Sequence, residues 1–412
     1  QATSGDDIVF IATGDRDHSD TYSVGILKST DGGSTWTNTG LTYTAGQKKL
    51  VNRLLNDPTN SSIFYAATTD GVHKSTDDGV TWNLISSEVF IDMEFKPGAS
   101  NIIYGSSKMG GIYKSTNSGN SWNNTLSTSG RRTEMAVSPN DANVVYALMA
   151  AASSGLYGIY KSTNSGSSFT EIYNSPNLLG WSCNGGGSGG QGWYDLCIAT
   201  DPNDVNTVFI GGVNTWKSTD GGNSWDINNH WSSTCGGNAT NVHADKHNLV
   251  FQNSSSTLFE CNDGGLYKTT NSGNTWEHLT NGMVISQMYK LGVAQTTPDD
   301  VITGLQDNGT KALITLNWED VIGGDGMECL IDWSDENIQY GSLYYGDIFK
   351  TTDHWNSSTQ ISGGISGNAA WVTPYVQDPI NSNTLYVGYE DVWKTTDQGQ
   401  SWTQLSSWAG GT

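Results

Sequence analysis

The stretch GILKSTDGGSTW, residues 25–36, decides how the rest of the chain is read, because variants of it return in register. GVHKSTDDGVTW surrounds Lys74, GIYKSTNSGNSW surrounds Lys114 and GIYKSTNSGSSF surrounds Lys161. NTWKSTDGGNSW follows at Lys217, GLYKTTNSGNTW at Lys268, a degraded DIFKTTDHWNSS at Lys350 and DVWKTTDQGQSW at Lys394. Successive lysines lie 46, 40, 47, 56, 51, 82 and 44 residues apart. The interval of 82 is about two periods, so one unit, near Thr310 to Trp318, has lost the motif. A fixed period of this size overrides the domain count that 412 residues would suggest.

Working outward from the motif, each period carries an apolar run ending near a DP or SPN turn and an alternating strand such as SIFYAATTD. The lysine strand and the tryptophan strand follow. Four strands per unit predict a β-propeller of about nine four-stranded blades spanning 1–412 as one domain. The chain opens at DDIVFIATGD, in the second strand of a unit, so the first blade is expected to lack its inner strand. Unpaired inner edges are costly, so a fragment of a larger ring is the expectation.

Within the motif the acid can accept backbone N–H groups across a tight turn, glycine supplies the permissive φ, and tryptophan wedges between sheets. Asp31, Trp36, Asp77, Trp82, Trp122, Asp220, Trp225, Trp276, Asp397 and Trp402 are therefore assigned to scaffold.

Composition agrees: 50 Gly, 8 Pro, 16 Trp and 18 Tyr suit short strands and many turns. The net charge of −22 disfavours nucleic acid as a partner and leaves divalent cations and neutral polymers open. No run of 18 apolar residues and no signal-peptide pattern is present, so a soluble chain without a transmembrane segment is expected. Five cysteines allow a Cys183–Cys197 or a Cys235–Cys261 disulfide, with Cys329 left over.

Functional candidates are the residues that break the repeat. In VHADKH, His243, Asp245 and His247 alternate along an expected inner strand, a face that could ligate a metal or simply be satisfied by channel water. Asp263 in CNDGG, Asp307 in LQDNG and Asp325 in IGGDGMECLID fall where loops should gather at a channel mouth, although Asp-Gly is also ordinary turn chemistry. The insert SCNGGGSGGQGWYDLC sets Trp193, Tyr194 and Asp195 on the same rim, an aromatic-plus-carboxylate grouping suited to sugars. Asp15, Asp17 and Asp20 make a partial calcium-loop spacing. Trp181, Trp231, Trp318 and Trp371 lie outside the motif and are available as ligand platforms.

The motif S/T-x-D-x-G-x-S/T-W resembles the Asp-box, or BNR, repeat of sialidases, sortilin-type receptors and xyloglucanase-type glycoside hydrolases. The order HADKH, NDGG, QDNGT, GGDGM is similar to secreted sortilin-like propellers of Bacteroidetes exported by type IX secretion. The resemblance implies a secreted or cell-surface monomer, cut from a larger chain or from a ten-bladed sortilin-type ring.

Its first implied function is a binding module for a polysaccharide or protein at the channel mouth, through Trp193, Tyr194, Asp195, Asp263 and Trp318. The alternative is an inverting endo-glycosidase using Asp325 with Asp307 or Asp15. A divalent cation such as calcium is the only cofactor considered. A sialidase is not expected. That chemistry needs three arginines on one carboxylate, and the chain has only Arg16, Arg53, Arg131 and Arg132, the last two adjacent and predicted to face opposite ways.

Overall fold

The computed structural model describes residues 8–17, 21–232, 235, 239–297, 299–314 and 316–408. Its described residues form nine successive antiparallel sheets with two single-turn 3₁₀ segments, the all-β propeller-type architecture that the period requires. Contacts divide the chain into two compact units, 1–281 with six sheets and 282–412 with three.

The first sheet has three strands among the described residues, Val9–Ala12, Gly25–Ser29 and Thr37–Thr42. The second shows the full pattern, Val51–Asn56, Phe64–Thr68, Gly71–Ser75 and Asn83–Ser86, in simple up-and-down order. The fifth sheet gains a short parallel strand, Thr240–Asn241, beside Asp226–His230. The unit without the motif is present as a tight hairpin, Gly309–Ile314 with Asn317–Ile322.

Core clusters form between consecutive sheets, and strand alternation explains how. On Val145–Ala150, Val145, Ala147 and Met149 pack toward the preceding sheet with Tyr104 and Ile112, while Tyr146, Leu148 and Ala150 pack toward the following one with Leu196, Ile210 and Trp216. A strand buried on both faces must be apolar at every position, which is why VVYALMA reads as a continuous run. Between the third and fourth strands the register slips at one place in most blades, for example Val72/His73, Ile112/Tyr113 and Ile159/Tyr160. Such bulges add local twist.

The repeated lysine joins sheets. Lys28 reaches the Asp78 carbonyl at 3.1 Å, Lys114 the Ser167 hydroxyl at 3.1 Å and Lys217 the Ser272 carbonyl at 3.0 Å, each in the next blade's turn. On its own sheet the same ammonium often sits over an aromatic ring, as Lys74 over Tyr65 at 4.9 Å.

In the turn itself, Ser218 accepts the Gly222 amide at 2.8 Å and donates to Asp220 at 2.8 Å, and Asp220 accepts the Ser224 amide and hydroxyl at 2.9 and 2.6 Å. Where the acid is replaced by Asn117, Asn164 or Asn271, the side-chain amide donates to the Ser or Thr hydroxyl instead, so the turn survives loss of charge. The degraded copy keeps the same pattern through Asp353 and Ser357.

The disulfide differs from both sequence expectations: Cys183 pairs with Cys235, Cα to Cα 5.6 Å, 52 residues apart. Cys197 is turned into the core of its strand, its thiol 3.5 Å from the Lys246 carbonyl, and Cys261 lies on another strand. Only the two loop cysteines are brought together.

Candidate functional site

In unit 1 the first strands of consecutive sheets lie side by side, so residues alternating along them meet residues of the neighbouring blade. Arg53 of Val51–Asn56 pairs with Asp92 at 3.2 Å and with Glu94, both on the neighbouring strand Asp92–Lys96. Arg132, 4% exposed, holds Glu134 and Asp17 at 3.0 Å each and donates to the carbonyls of Trp193, Tyr194 and Leu196. Arg16 adds bonds to Asp17 at 2.9 Å and Glu134 at 3.5 Å. A cavity of about 410 Å³ opens beside this network, lined in part by Arg16, Arg53, Glu94, Glu134 and His247. Burial, opposed by Arg53 and aided by Asp92, lifts the Glu94 carboxyl to about 7.

The network continues into a cluster of acids. His247 lies between Asp263 at 2.6 Å and Asp17 at 3.5 Å, and Tyr194 both donates to Asp263 at 3.3 Å and packs edge-on against the imidazole. Burial alone would lower the histidine, but its bonds to the two carboxylates dominate and push it up to about 9, so it is an imidazolium at neutral pH. Asp17 is correspondingly held below the usual carboxylate range: the bond from His247 and the Arg132 and Arg16 charges outweigh its burial. Asp245 is raised by burial and by Asp263, and Asp195 well above the usual range by burial and then Asp245.

Three sequence expectations change here. The strand predicted to carry His243, Asp245 and His247 begins only at Lys246. Asp245 adopts φ 62°, which breaks the extended run. His243 turns toward Gly264, whose missing Cβ leaves room for its ring. The three side chains therefore do not alternate along one face.

Asp195, expected on a rim, is fully buried, while Trp193 beside it remains 47% exposed. Asp325 and Asp307 do come together, from the loop after Asn317–Ile322 and the turn before Gly309–Ile314, the Asp307 amide donating to Asp325 at 2.5 Å with Asp307 at φ 59°. That contact spends one Asp325 oxygen on backbone geometry. Asp20 of the proposed calcium loop lies outside the described residues.

Unit 2 carries an aromatic surface of which only Trp371 was legible as a candidate. Tyr344 and Trp371 stack at 5.0 Å with planes 4° apart, Tyr345 meets the same indole edge-on at 5.3 Å, and Trp371 donates to the Tyr289 hydroxyl at 3.3 Å. The rings stay 39%, 41% and 60% exposed for Tyr344, Trp371 and Tyr345. A side chain at Gly324 would meet Leu343 at 3.0 Å and Tyr344 at 3.9 Å, so the backbone before Asp325 runs past this pair. Glu328, 16% exposed, is raised by burial although Lys290 lies 3.4 Å away. Trp318, 52% exposed, lines a separate hollow of about 310 Å³ with Lys311 and Asp320.

No protein-family model matches the chain. A stretch of 136 residues, 32% of the chain, is 29% identical to a xyloglucanase of Hypocrea jecorina (strain QM6a), and the match spans 16% of that protein's length. Among solved structures, the GH74 enzyme of Niastella koreensis aligns over 96% of this chain and 69% of its own, with TM-score 0.54 and 18% identity. PorZ, a surface component of the type-IX secretion system of Porphyromonas gingivalis, aligns over 94% and 51%, with TM-score 0.50 and 13% identity. At these identities the structural matches establish the propeller-type fold, and the chain's function rests on its own residues.

Proposed function

We propose that the protein acts on a polysaccharide outside the cell as a glycoside hydrolase of the propeller type. The observation that carries this reading is the exposed Tyr344–Trp371 stack with Tyr345 and Tyr289, past which the backbone at Gly324 runs, one residue before Asp325. Sugar rings offer apolar C–H faces that lie on such platforms, while hydroxyls find polar groups at the edge. In this reading Asp325, oriented by the Asp307 amide, is the base, and Glu328, whose carboxyl burial favours the protonated form, is the acid. Partial sequence similarity to a xyloglucanase makes xyloglucan the first substrate to try. The Cys183–Cys235 disulfide supports an oxidising location.

A second reading, a binding module without hydrolysis, is favoured by the commitment of Asp325 to the Asp307 backbone. Reducing-end release and affinity electrophoresis on xyloglucan and related glycans separate the two, using Asp325→Asn and Trp371→Ala. Release by the parent that both changes abolish supports the hydrolase. Binding without release, lost only in Trp371→Ala, supports the module, and a parent inert toward every glycan rejects both.

A further inference from the structure

The chain is strongly acidic and contains four arginines, yet three of them, Arg16, Arg131 and Arg132, line one hollow of about 310 Å³ in unit 1. Lys108 and Trp193 line it too, with Asp17 the one acidic side chain among the described residues that line it. Adjacent positions on a strand face opposite ways, and Arg132 is indeed buried while Arg131 is exposed. Both nevertheless border the hollow, because Arg131 precedes the strand Thr133–Val137 and is free of its alternation.

The four cations are not equivalent. Arg132 and Arg16 are answered by Asp17 and Glu134, and Arg132 is further fixed by three carbonyls. They form a charge-compensated floor of paired arginines and carboxylates. Arg131 has only the carbonyls of Ser129 and Gly130, each at 3.2 Å, and Lys108 only the Arg16 carbonyl at 3.4 Å; neither has a carboxylate partner among the described residues. Burial depresses the Lys108 ammonium most, and the Arg132 and Arg16 charges add to it against the attraction of Asp17 and Asp15. Trp193, 47% exposed, forms an aromatic wall.

From this geometry we infer that the hollow binds the carboxylate of an acidic sugar, a uronic acid residue, with Arg131 and Lys108 engaging the carboxylate and Trp193 stacking on the ring. The volume suits a monosaccharide-sized group, at the small end of ligand pockets, roughly 300–1,000 Å³. A planar guanidinium matches a carboxylate in two parallel hydrogen bonds. Recognition of a sugar, as opposed to any small acid, rests on the polysaccharide reading above.

The test is calorimetric titration of the whole chain with tri-galacturonic acid, its methyl ester, sialyllactose and a neutral xyloglucan oligosaccharide. Binding of the free acid, weakened about tenfold or more by esterification and by Arg131→Gln, is the expected result. Lys108→Gln should weaken it as well, and added salt should weaken the parent. Trp193→Ala should reduce affinity for the trimer while leaving that for acetate unchanged. Sialyllactose binding in place of the trimer overturns the uronate assignment, as does equal affinity for acid and ester or an Arg131→Gln chain that binds like the parent. A parent that degrades neutral glycan but ignores the trimer overturns this inference alone. Trimer binding sensitive to Arg131 in a chain inert toward every polysaccharide upholds it and overturns the hydrolase reading alone.

Discussion

The hairpins joining third and fourth strands and the first strands of unit 1 both link neighbouring blades, yet they do so by opposite means. Each hairpin repeats the same few bonds in an exposed turn, and acid and amide alternate there without changing the geometry, as Asp220 and Asn271 show. The first strands share no motif. Glu134 and His247 on them join Arg132, just before its strand, and Arg16 and Asp17, in the loop after Val9–Ala12, into a continuous network that extends to Asp263. Exposed local bonds contribute small, independent increments, whereas buried coupled charges are all-or-none. Tolerance to change should therefore differ sharply between the two regions.

The largest effect is expected where the second kind of bonding is most buried. Lys246 and Glu260 are both fully buried, paired at 3.1 Å, with Glu260 also taking Thr215 and Asn229. Glu260→Gln strands the ammonium and should cost about 3–5 kcal/mol in denaturant unfolding monitored by near-ultraviolet dichroism. A loss below 1 kcal/mol would show that the interior network behaves like the hairpins.

Next is the pH dependence. Because His247 is raised in the fold, its contribution is complete below its ordinary value near 6.5 and is lost as pH climbs toward about 9. Stability should fall by up to about 3 kcal/mol over that interval and the fall should vanish in His247→Gln. Asp17 works in the other direction, contributing above the carboxylate range and failing as pH drops through its depressed value. Measuring the slope in an Asp195→Asn background removes the separate titration of that buried acid.

The hairpins should respond least. Ser218→Ala leaves the buried Gly222 amide without its acceptor and should cost about 1–2 kcal/mol. Asp220→Asn should cost less than Ser218→Ala, since asparagine fills that place at three other turns. Combining Ser218→Ala with the equivalent Ser75→Ala should add, while Arg132→Gln with Glu134→Gln should not. Additivity in the second pair would erase the distinction between the regions.

Periodicity, turn chemistry and the alternation of apolar residues are local properties, written into any window of a dozen residues. For that reason the lysine-centred motif and the strands around it foretold eight of the nine sheets and their strand order, and Asp31, Asp77, Asp220 and Asp397 each accept a Ser or Thr hydroxyl within a turn. Even the unit lacking the motif was legible, from spacing. The charged network was not, because Arg16, Arg53, Glu94 and Glu134 lie in unrepeated sequence and meet only when separate blades pack together. The partner of Cys183, the burial of Asp195, the contact between Asp307 and Asp325, and the stack of Tyr344 on Trp371 were likewise decided by tertiary structure. Each depends on loops tens of residues apart reaching one place, and no local pattern encodes a distance of that kind.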